Sequence, residues 1–334
     1  MKKIILAAMA IVSLAACSKE TAIEVNREEI AFDDAFVDNS TKADAATDPS
    51  YSTSGKGIAL TQFNVYGAVN GVNIFNGNTV TKGAAAYGAA WTLEGAKQYW
   101  IAGANYKFVG VVDGNKDGVT SITPDEAGLP ASISYTVDGE TDLLCDVVTV
   151  NNAGTPSYPL VAFNYTHLLS KINFAVKNTT DALATNYRFV LTSAKLTNVY
   201  ESAVYGVDSD AWTPNATMRD FVLDNLTINS NSTQYHPQEI LLIPGSAVGV
   251  YVEANIEATD DDPTSADAYW KVVSNVKKTF TNALGTVEGT PKTLAKATAY
   301  NFIVELGVGT EIQFTATEMA EWIDGDGNGG TVLQ

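Results

Sequence analysis

The chain has 334 residues, and its 38 acidic residues outnumber its 20 basic ones, which gives a formal net charge of −18 and a pI near 4.4. Such a surface repels phosphates, so the charge argues against a nucleic-acid-binding protein. Hydrophobic residues make up 46% of the chain, which is too apolar for wholesale disorder. Charged residues are only 17%, and turn-forming residues are abundant, a balance that is common in secreted β proteins.

The chain begins with a short basic region and an apolar run over residues 4–16, directly followed by Cys17. The run is shorter than the roughly 20 residues that a membrane-spanning helix needs. The tetrapeptide LAAC at 14–17 resembles a bacterial lipobox, which implies a diacylglycerol thioether on Cys17 and cleavage just before it. We therefore expect residues 1–16 to be a lipoprotein signal peptide.

The other cysteine, Cys145, lies in the apolar sequence TDLLCDVVTV. After lipidation of Cys17 no second thiol is left for an internal disulfide, so stability must come from packing. The apolar neighbours, and the lack of a histidine nearby in sequence, favour a buried small hydrophobe over a nucleophile.

The early mature chain contains one short apolar segment between two polar ones. Residues 18–29 are polar and predict a flexible stalk. Ile30, Phe32 and Phe36 then predict a short strand. After Lys42 comes a stretch rich in Ser, Thr, Ala and Asp without apolar periodicity, which predicts an exposed, protease-accessible loop.

Beyond this loop, apolar and polar residues alternate in one short segment after another. The clearest case is AVGVYVEANIEA, in which alternate residues from Val248 to Ile256 are apolar. The same pattern occurs in ALTQFNVYGAV, NYKFVGVVDG, ISYTVDG, LLCDVVTV, KINFAVKN, NYRFVLTSAKLTNVY and AYNFIVELGVG. Such alternation gives each strand one buried and one solvated face. Many short strands separated by turns predict an all-β protein built from antiparallel β-sandwiches.

The length suggests two domains, and the loop-like sequence NNAGTPSYPL marks a boundary near residue 160. We expect a propeptide and tether over 17–42, an N-terminal sandwich domain over 43–160 and a C-terminal sandwich domain with a tail over 161–334.

Two motifs look like ligand sites. The segment DGNKDGVTSITPDE begins like a calcium loop at Asp113 and Asp117, but its twelfth position is Pro124, where an EF-hand needs Glu. A polar turn is the better interpretation, and a calcium site of another kind stays open. The GxGxxG in DGDGNGG is followed by only four residues, too few for the helix of a dinucleotide site.

Signals for catalysis are also weak. His167 and His236 are far apart in sequence and lack a Cys/His cluster, which argues against structural zinc. No nucleophile elbow or phosphate loop occurs in the sequence, although carboxylates could still pair in space. The sequence predicts a protein that is not an enzyme and uses no cofactor or metal.

Several segments in order carry a family resemblance. They are the lipobox, EIAFDDAFVDNSTKA, FNVYG, YWIAGANYKFVGVV, DLLCD, NYTHLLSKINFAV and TEMAEWIDGDGNGGTVLQ. Together they resemble Bacteroidales fimbrillins, the type V pilins, over nearly the whole chain. The FxVYG strand, the YW before a YxFxGV strand and the HLLSKI strand resemble the fimbrillin-like (Mfa-like) branch.

This resemblance implies two transthyretin-like antiparallel β-sandwich domains and a stalk or accessory subunit of a type V fimbria that serves cell adhesion. It implies export as an outer-membrane lipoprotein, followed by proteolytic loss of the N-terminal segment. The lost strand would open a groove that a C-terminal strand of the next subunit fills. The implied partners are other copies, other fimbrial subunits and surface receptors of host or bacterial cells, and the mature form is extracellular.

Residue roles follow from this resemblance. The removable strand contains Ile30, Phe32 and Phe36, whose loss would leave an edge that recruits another strand. The candidate donor residues are Ile312, Phe314, Trp322, Val332 and Leu333, with DGDGNGG as a hinge. The alternative is that these residues form the last strand of their own domain and the end of the chain that follows it.

The processing site departs from the family pattern. The protease of the best-known relatives prefers Arg, whereas the matching position here is Lys42-Ala43. A Lys-tolerant trypsin-like protease would cut there. Without a cut, the protein would be a pilus anchor or an independent lipoprotein. Arg27 is a weaker site, because a cut there leaves the Ile30 strand in place.

The rival function is a monomeric glycan-binding surface lipoprotein. Its candidate sugar-stacking residues are Trp91, Trp100, Trp212 and Trp270. Aromatic residues at strand positions more often fill the core.

Overall fold

The computed structural model describes residues 28–33, 35–37, 60, 62–83, 90–112, 118–140, 142–151, 153, 158–180, 186–223, 226–229, 232–237 and 239–319. Several residues named above lie outside these ranges: Cys17, Lys42, Ala43, Asp113, Asp117, Trp322, Val332 and Leu333. Within the described residues there is no helix that is long and apolar enough to cross a membrane.

The described residues form an all-β protein, which confirms the predicted fold class. In chain order the strands are β1 (Phe36–Val37), β2 (Gln62–Val69), β3 (Val72–Lys82), β4 (Trp91–Leu93), β5 (Tyr106–Val112), β6 (Val119–Pro124), β7 (Pro130–Thr136), β8 (Leu144–Val150), β9 (Asn164–His167), β10 (Ser170–Asn178), β11 (Tyr187–Tyr200) and β12 (Ser202–Gly206). They continue with β13 (Ala211–Pro214), β14 (Met218–Leu223), β15 (Thr227–Asn229), β16 (Thr233–Tyr235), β17 (Ile240–Leu242), β18 (Gly249–Ala258), β19 (Lys271–Phe280), β20 (Thr286–Val287), β21 (Thr290–Pro291), β22 (Thr298–Leu306) and β23 (Gln313–Glu318).

Most strands pair with antiparallel neighbours. The largest sheet has the order β1-β9-β8-β5-β2-β3-β4, and a second has the order β16-β10-β22-β23, with β17 also on β10. A third has the order β14-β11-β18-β19, with β15 on β11, and a fourth has the order β13-β12-β7-β6. Strands β20 and β21 form a separate hairpin. Two pairings among the described strands are parallel, β1 with β9 and β10 with β22.

The alternation read from the sequence matches the burial of individual strands. In β18 the side chains of Val250, Val252 and Ala254 are buried, while Tyr251 and Glu253 are partly exposed. The strand β22 behaves in the same way. The segment NYRFVLTSAKLTNVY forms one long strand, β11, whose register is shifted at two places by bulges.

Two hydrophobic clusters lie on opposite faces of the largest sheet. On β5, Tyr106 and Phe108 face a smaller cluster, whereas Val109 and Val111 face a larger one that also includes the sheets of the second half of the chain. Strand pairing crosses residue 160, because β9 belongs to the largest sheet and β7 pairs with β12. The transthyretin-like division into domains at this residue stays a prediction.

Candidate functional site: the groove filled by residues 28–37

Residues 28–33 and 35–37 occupy a slot in the N-terminal half of the chain, and one wall of this slot is residues 98–100. The amide of Ile30 donates to the carbonyl of Gln98, and the amide of Trp100 donates to the carbonyl of Glu28, both at 2.9 Å. These reciprocal bonds are those of a short antiparallel ladder. The segment therefore behaves as a strand on this side.

The opposite wall is provided by Val161 and β9. The amide of Asp33 donates to the carbonyl of Val161 at 3.0 Å, and the amide of Val161 donates to the carbonyl of Ala31 at 2.9 Å. Further along, β1 runs parallel to β9, with Phe36 opposite Asn164. Because the segment bonds to backbone on both sides, its removal would leave two rows of backbone groups without these partners.

The inward side chains of the segment belong to the smaller hydrophobic cluster. Ile30 is 2% exposed and Phe32 is 8% exposed, and Ala35 and Val37 are also buried. The side chain of the third predicted residue, Phe36, lies outside the described residues. The sequence pattern missed Ala35 and Val37, because the inward positions change phase between Phe32 and Ala35.

Phe32 sits among the aromatic rings that line the slot. Its ring centroid is 5.7 Å from that of Phe63, in an edge-on arrangement, and 6.2 Å from that of Phe75. Edge-on and tilted pairs at such distances are the favoured geometries of aromatic contacts. The slot therefore has a ready-made pocket for an aromatic side chain.

The floor of the slot depends on a glycine at a close approach. Gly110 lies on β5 under the ring of Tyr165, and a Cβ placed there would be only 2.2 Å from the Tyr165 hydroxyl oxygen. Tyr165 also stacks on Phe163, with centroids 5.4 Å apart. A larger residue at position 110 would push this aromatic layer into the slot.

The rim of the slot carries one ion pair and several exposed apolar side chains. Lys97 Nζ is 2.6 Å from Glu29 Oε2, and this hydrogen bond and the carboxylate charge raise the pKa of Lys97. Tyr99, Ile101 and Leu160 are exposed, the last two by more than half. Tyr99 lies opposite Glu29 and Leu160 lies beside the outward-facing Ala31, so apolar side chains border the outer mouth of the slot.

Burial of its apolar side chains determines how much the segment stabilises the fold. Fully burying an Ile or Phe side chain contributes about 1.5–3 kcal/mol, so Ile30 and Phe32 together contribute about 3–6 kcal/mol. A protein without the segment would expose this apolar slot and its unpaired edges, a combination that binds a replacement strand. We call the slot without its segment the acceptor groove.

Two of the predicted donor residues lie in the described chain, in and next to β23. This strand is at the edge of its sheet and pairs with β22. Phe314 packs against Phe280 and Phe302, with ring centroids 5.2 and 5.4 Å away, and Ile312 also packs on the larger cluster. The structure thus places both residues in their own sheet and not against residues 98–100 or Val161.

The four tryptophans of the glycan hypothesis pack on other residues. Trp100 is buried, and Trp91 packs against Phe63 with the two ring centroids 5.0 Å apart. The indole N–H of Trp212 donates to the carbonyl of Leu168, and the guanidinium of Arg188 stacks 4.4 Å from the Trp270 ring. These contacts are those expected of core and packing residues.

Outside the slot, Cys145 and Asp210 make contacts that belong to the packing of the fold. Cys145 is a free, buried cysteine, as predicted, and burial raises the pKa of its thiol to about 12. Burial would raise the pKa of Asp210, but hydrogen bonds from Lys296 and Tyr205 outweigh burial and lower it. No group of three or more His, Cys, Asp or Glu in the described chain is arranged to hold a metal ion.

Comparison with known proteins shows which family the chain belongs to. The sequence profile described as fimbrillin-like matches residues 41–322. The chain belongs to the fimbrillin-like family. Fimbrillin-like proteins are fimbrial and adhesive surface proteins, not enzymes.

Solved structures share the fold. A fimbrial protein from Bacteroides vulgatus is similar with a TM-score of 0.50 and 15% identity, over 87% of this chain and 98% of that chain. A candidate cell adhesion protein from Bacteroides uniformis gives the same TM-score and identity, over 87% of this chain and 97% of that chain. No curated protein matches this chain.

Proposed function

We propose that this fimbrillin-like protein is a polymerising subunit of a surface fimbria, either a stalk or an accessory pilin. In this proposal, the precursor is a lipoprotein anchored to the outer membrane through Cys17. A protease cuts between Lys42 and Ala43 and releases residues 17–42 with the lipid. The C-terminal region, with Ile312, Phe314, Trp322, Val332 and Leu333 as candidates, then fills the acceptor groove of the next subunit.

One observation carries this proposal. Residues 28–33 bond to backbone on both sides, bury Ile30 and Phe32, and place the Phe32 ring against Phe63 and Phe75. The proposed cut after Lys42 follows this segment in the sequence, so one cut would separate the segment from the rest of the chain. The family match begins at residue 41, beside Lys42, which supports this division.

Controlled trimming of the purified full chain tests the proposal. We expect limited trypsin digestion to yield a chain beginning at Ala43, which assembles into filaments visible by negative-stain electron microscopy. The matched control is Lys42→Gln, which should stay monomeric under the same digestion. Equal assembly of the control, or a trimmed chain that stays monomeric, would contradict the proposal and favour a pilus anchor or an independent lipoprotein.

The C-terminal part of the proposal has its own test. Deleting residues 323–334 should leave a folded subunit if this tail belongs to the donor and not to the core. After trimming, the deletion variant should accept a strand from the full-length protein but fail to extend the filament. Normal filament growth by the deletion variant alone would show that these residues are not needed for donation.

A further inference from the structure

A four-residue pattern occurs twice in the chain, once in the slot and once at the C-terminal edge strand. Residues 29–32 read Glu-Ile-Ala-Phe, and residues 311–314 read Glu-Ile-Gln-Phe. The first copy lies in the segment that fills the acceptor groove. The second copy leads into β23.

The two copies orient their side chains in the same way. Ile30 and Phe32 face the smaller cluster, and Ile312 and Phe314 pack on the larger one. The third residue of each copy is exposed, Ala in the first and Gln in the second. Both copies therefore have the same inward and outward positions.

The aromatic and charged contacts of the two copies also correspond. Each phenylalanine has an edge-on aromatic neighbour, Phe63 at 5.7 Å in the first copy and Phe302 at 5.4 Å in the second. Each glutamate forms an ion pair with a lysine. These pairs are Glu29 with Lys97 at 2.6 Å and Glu311 with Lys278 at 2.5 Å.

We propose that residues 311–314 of a neighbouring copy replace residues 29–32 in the acceptor groove, in the same chain direction. Ile312 would take the position of Ile30, and Phe314 would take that of Phe32. This inference rests on the proposed function, because it requires that the N-terminal segment has been removed.

The charged residue fixes the direction of the incoming strand. Only a strand that runs as residues 29–32 do brings Glu311 next to Lys97 while both apolar side chains face inward. After Phe314 the two sequences differ, with Asp33 followed by Asp34 in one and Thr315 followed by Ala316 in the other. The assignment is therefore limited to these four positions.

Burial and backbone pairing both favour the transfer. Ile312 and Phe314 are only partly buried at the sheet edge, whereas the groove buries Ile30 and Phe32 to 2% and 8% exposure. Among the described strands β23 pairs only with β22, whereas the groove offers backbone partners on both sides. A strand that moves from this edge into the groove gains apolar burial and a second row of hydrogen bonds.

Peptide binding to the trimmed chain tests the assignment. The full chain is trimmed with trypsin, its new N-terminus is sequenced, and fluorescein-labelled peptides are titrated by fluorescence polarisation. The probes are a peptide of residues 28–37 and a peptide of residues 309–319. We expect both to bind, and we expect Phe314→Asp in the second peptide to weaken binding about tenfold to hundredfold. Gln313→Ala is the matched control and should bind like the parent, because position 313 faces outward.

The outcomes separate this inference from the proposed function. If the peptide of residues 28–37 binds and that of residues 309–319 does not, the groove is real and the assignment of its occupant is wrong. If neither binds, the acceptor groove itself is refuted, and this inference with it.

Cysteine pairing in the full chain tests the register without peptides. Val161 lies opposite Phe32 in parallel register, which places Leu160 beside position 31. The variant Leu160→Cys/Gln313→Cys should therefore form disulfide-linked multimers after trimming. The shifted control Leu160→Cys/Thr315→Cys should form few. Equal multimer formation in both variants, or none in the first, would overturn the register.

Discussion

The structure predicts how strongly the Phe32 side chain holds the N-terminal segment in the slot. Phe32 is 8% exposed and contacts Phe63 edge-on, so Phe32→Ala removes a buried ring and leaves a cavity. Such substitutions cost about 3–5 kcal/mol. Since about 1.4 kcal/mol corresponds to a factor of ten, the population with an open slot should rise at least about a hundredfold.

Hydrogen exchange followed by mass spectrometry measures this opening. The amides of Ile30 and Asp33 bond across the slot, so peptides covering residues 28–37, 98–101 and 158–163 should lose protection. Peptides from β18 should exchange as in the wild type, because that strand lies in another sheet. Ala31→Ser, at the exposed position, is the matched control.

Two exchange results would contradict anchoring of the segment by Phe32. Unchanged protection around the slot in Phe32→Ala would mean that the ring does not anchor the segment. An equal loss of protection in β18 would mean that the segment opens only when the whole chain unfolds.

Three further predictions concern packing and titration. Gly110→Ala should lower the free energy of unfolding by about 1–3 kcal/mol in urea titration, because its Cβ would collide with Tyr165, whereas Gly83→Ala, in open space, should change it little. Cys145, whose pKa is raised to about 12, should resist a thiol reagent at pH 8 in the folded protein and react once urea unfolds the chain. Fast reaction in the native state would contradict the burial of this thiol. Asp210→Asn should lower the melting temperature at pH 7. The difference from wild type should shrink as the pH falls below 3.8, because a carboxyl with a lowered pKa stabilises the fold only while it is ionised. A difference in melting temperature that is constant with pH would contradict this prediction.

The fold class could be predicted from the sequence because local alternation decides it. In β18, apolar residues recur at every second position from Val250 to Ile256, and all of them are buried. Ile30 and Phe32, which the sequence predicts to lie in a short strand, are both buried. In these strands one face packs on a core and the other faces solvent, so periodicity alone carries the information.

Strands that are buried on both faces were harder to predict. In KINFAVKN, alternation predicts that Ile172, Phe174 and Val176 share a buried face. The structure buries Lys171 and Asn173 as well, because β10 is covered on both of its faces. The Lys171 side chain is accommodated by an ion pair with Glu239, Nζ to Oε1 at 3.1 Å, a partner far away in sequence.

The site itself required the three-dimensional structure. The partners of residues 28–37 are residues 98–100 and Val161, which are separated from it by long stretches of chain. No local pattern gives such a register, because it is set by how two distant loops close around the segment. The correspondence between Glu-Ile-Ala-Phe and Glu-Ile-Gln-Phe also depends on the fold, because only the structure shows that both copies turn their apolar side chains inward and place a lysine beside each glutamate.

We propose that residues 17–42 are a temporary tether whose loss permits polymerisation. Intact mass and N-terminal sequencing of the protein from sheared surface filaments and from the outer membrane test it most directly. We expect chains beginning at Ala43 in the sheared filaments and lipidated chains beginning at Cys17 in the membrane. Lipidated chains beginning at Cys17 in the membrane alone, with no trimmed form in filaments, would contradict it.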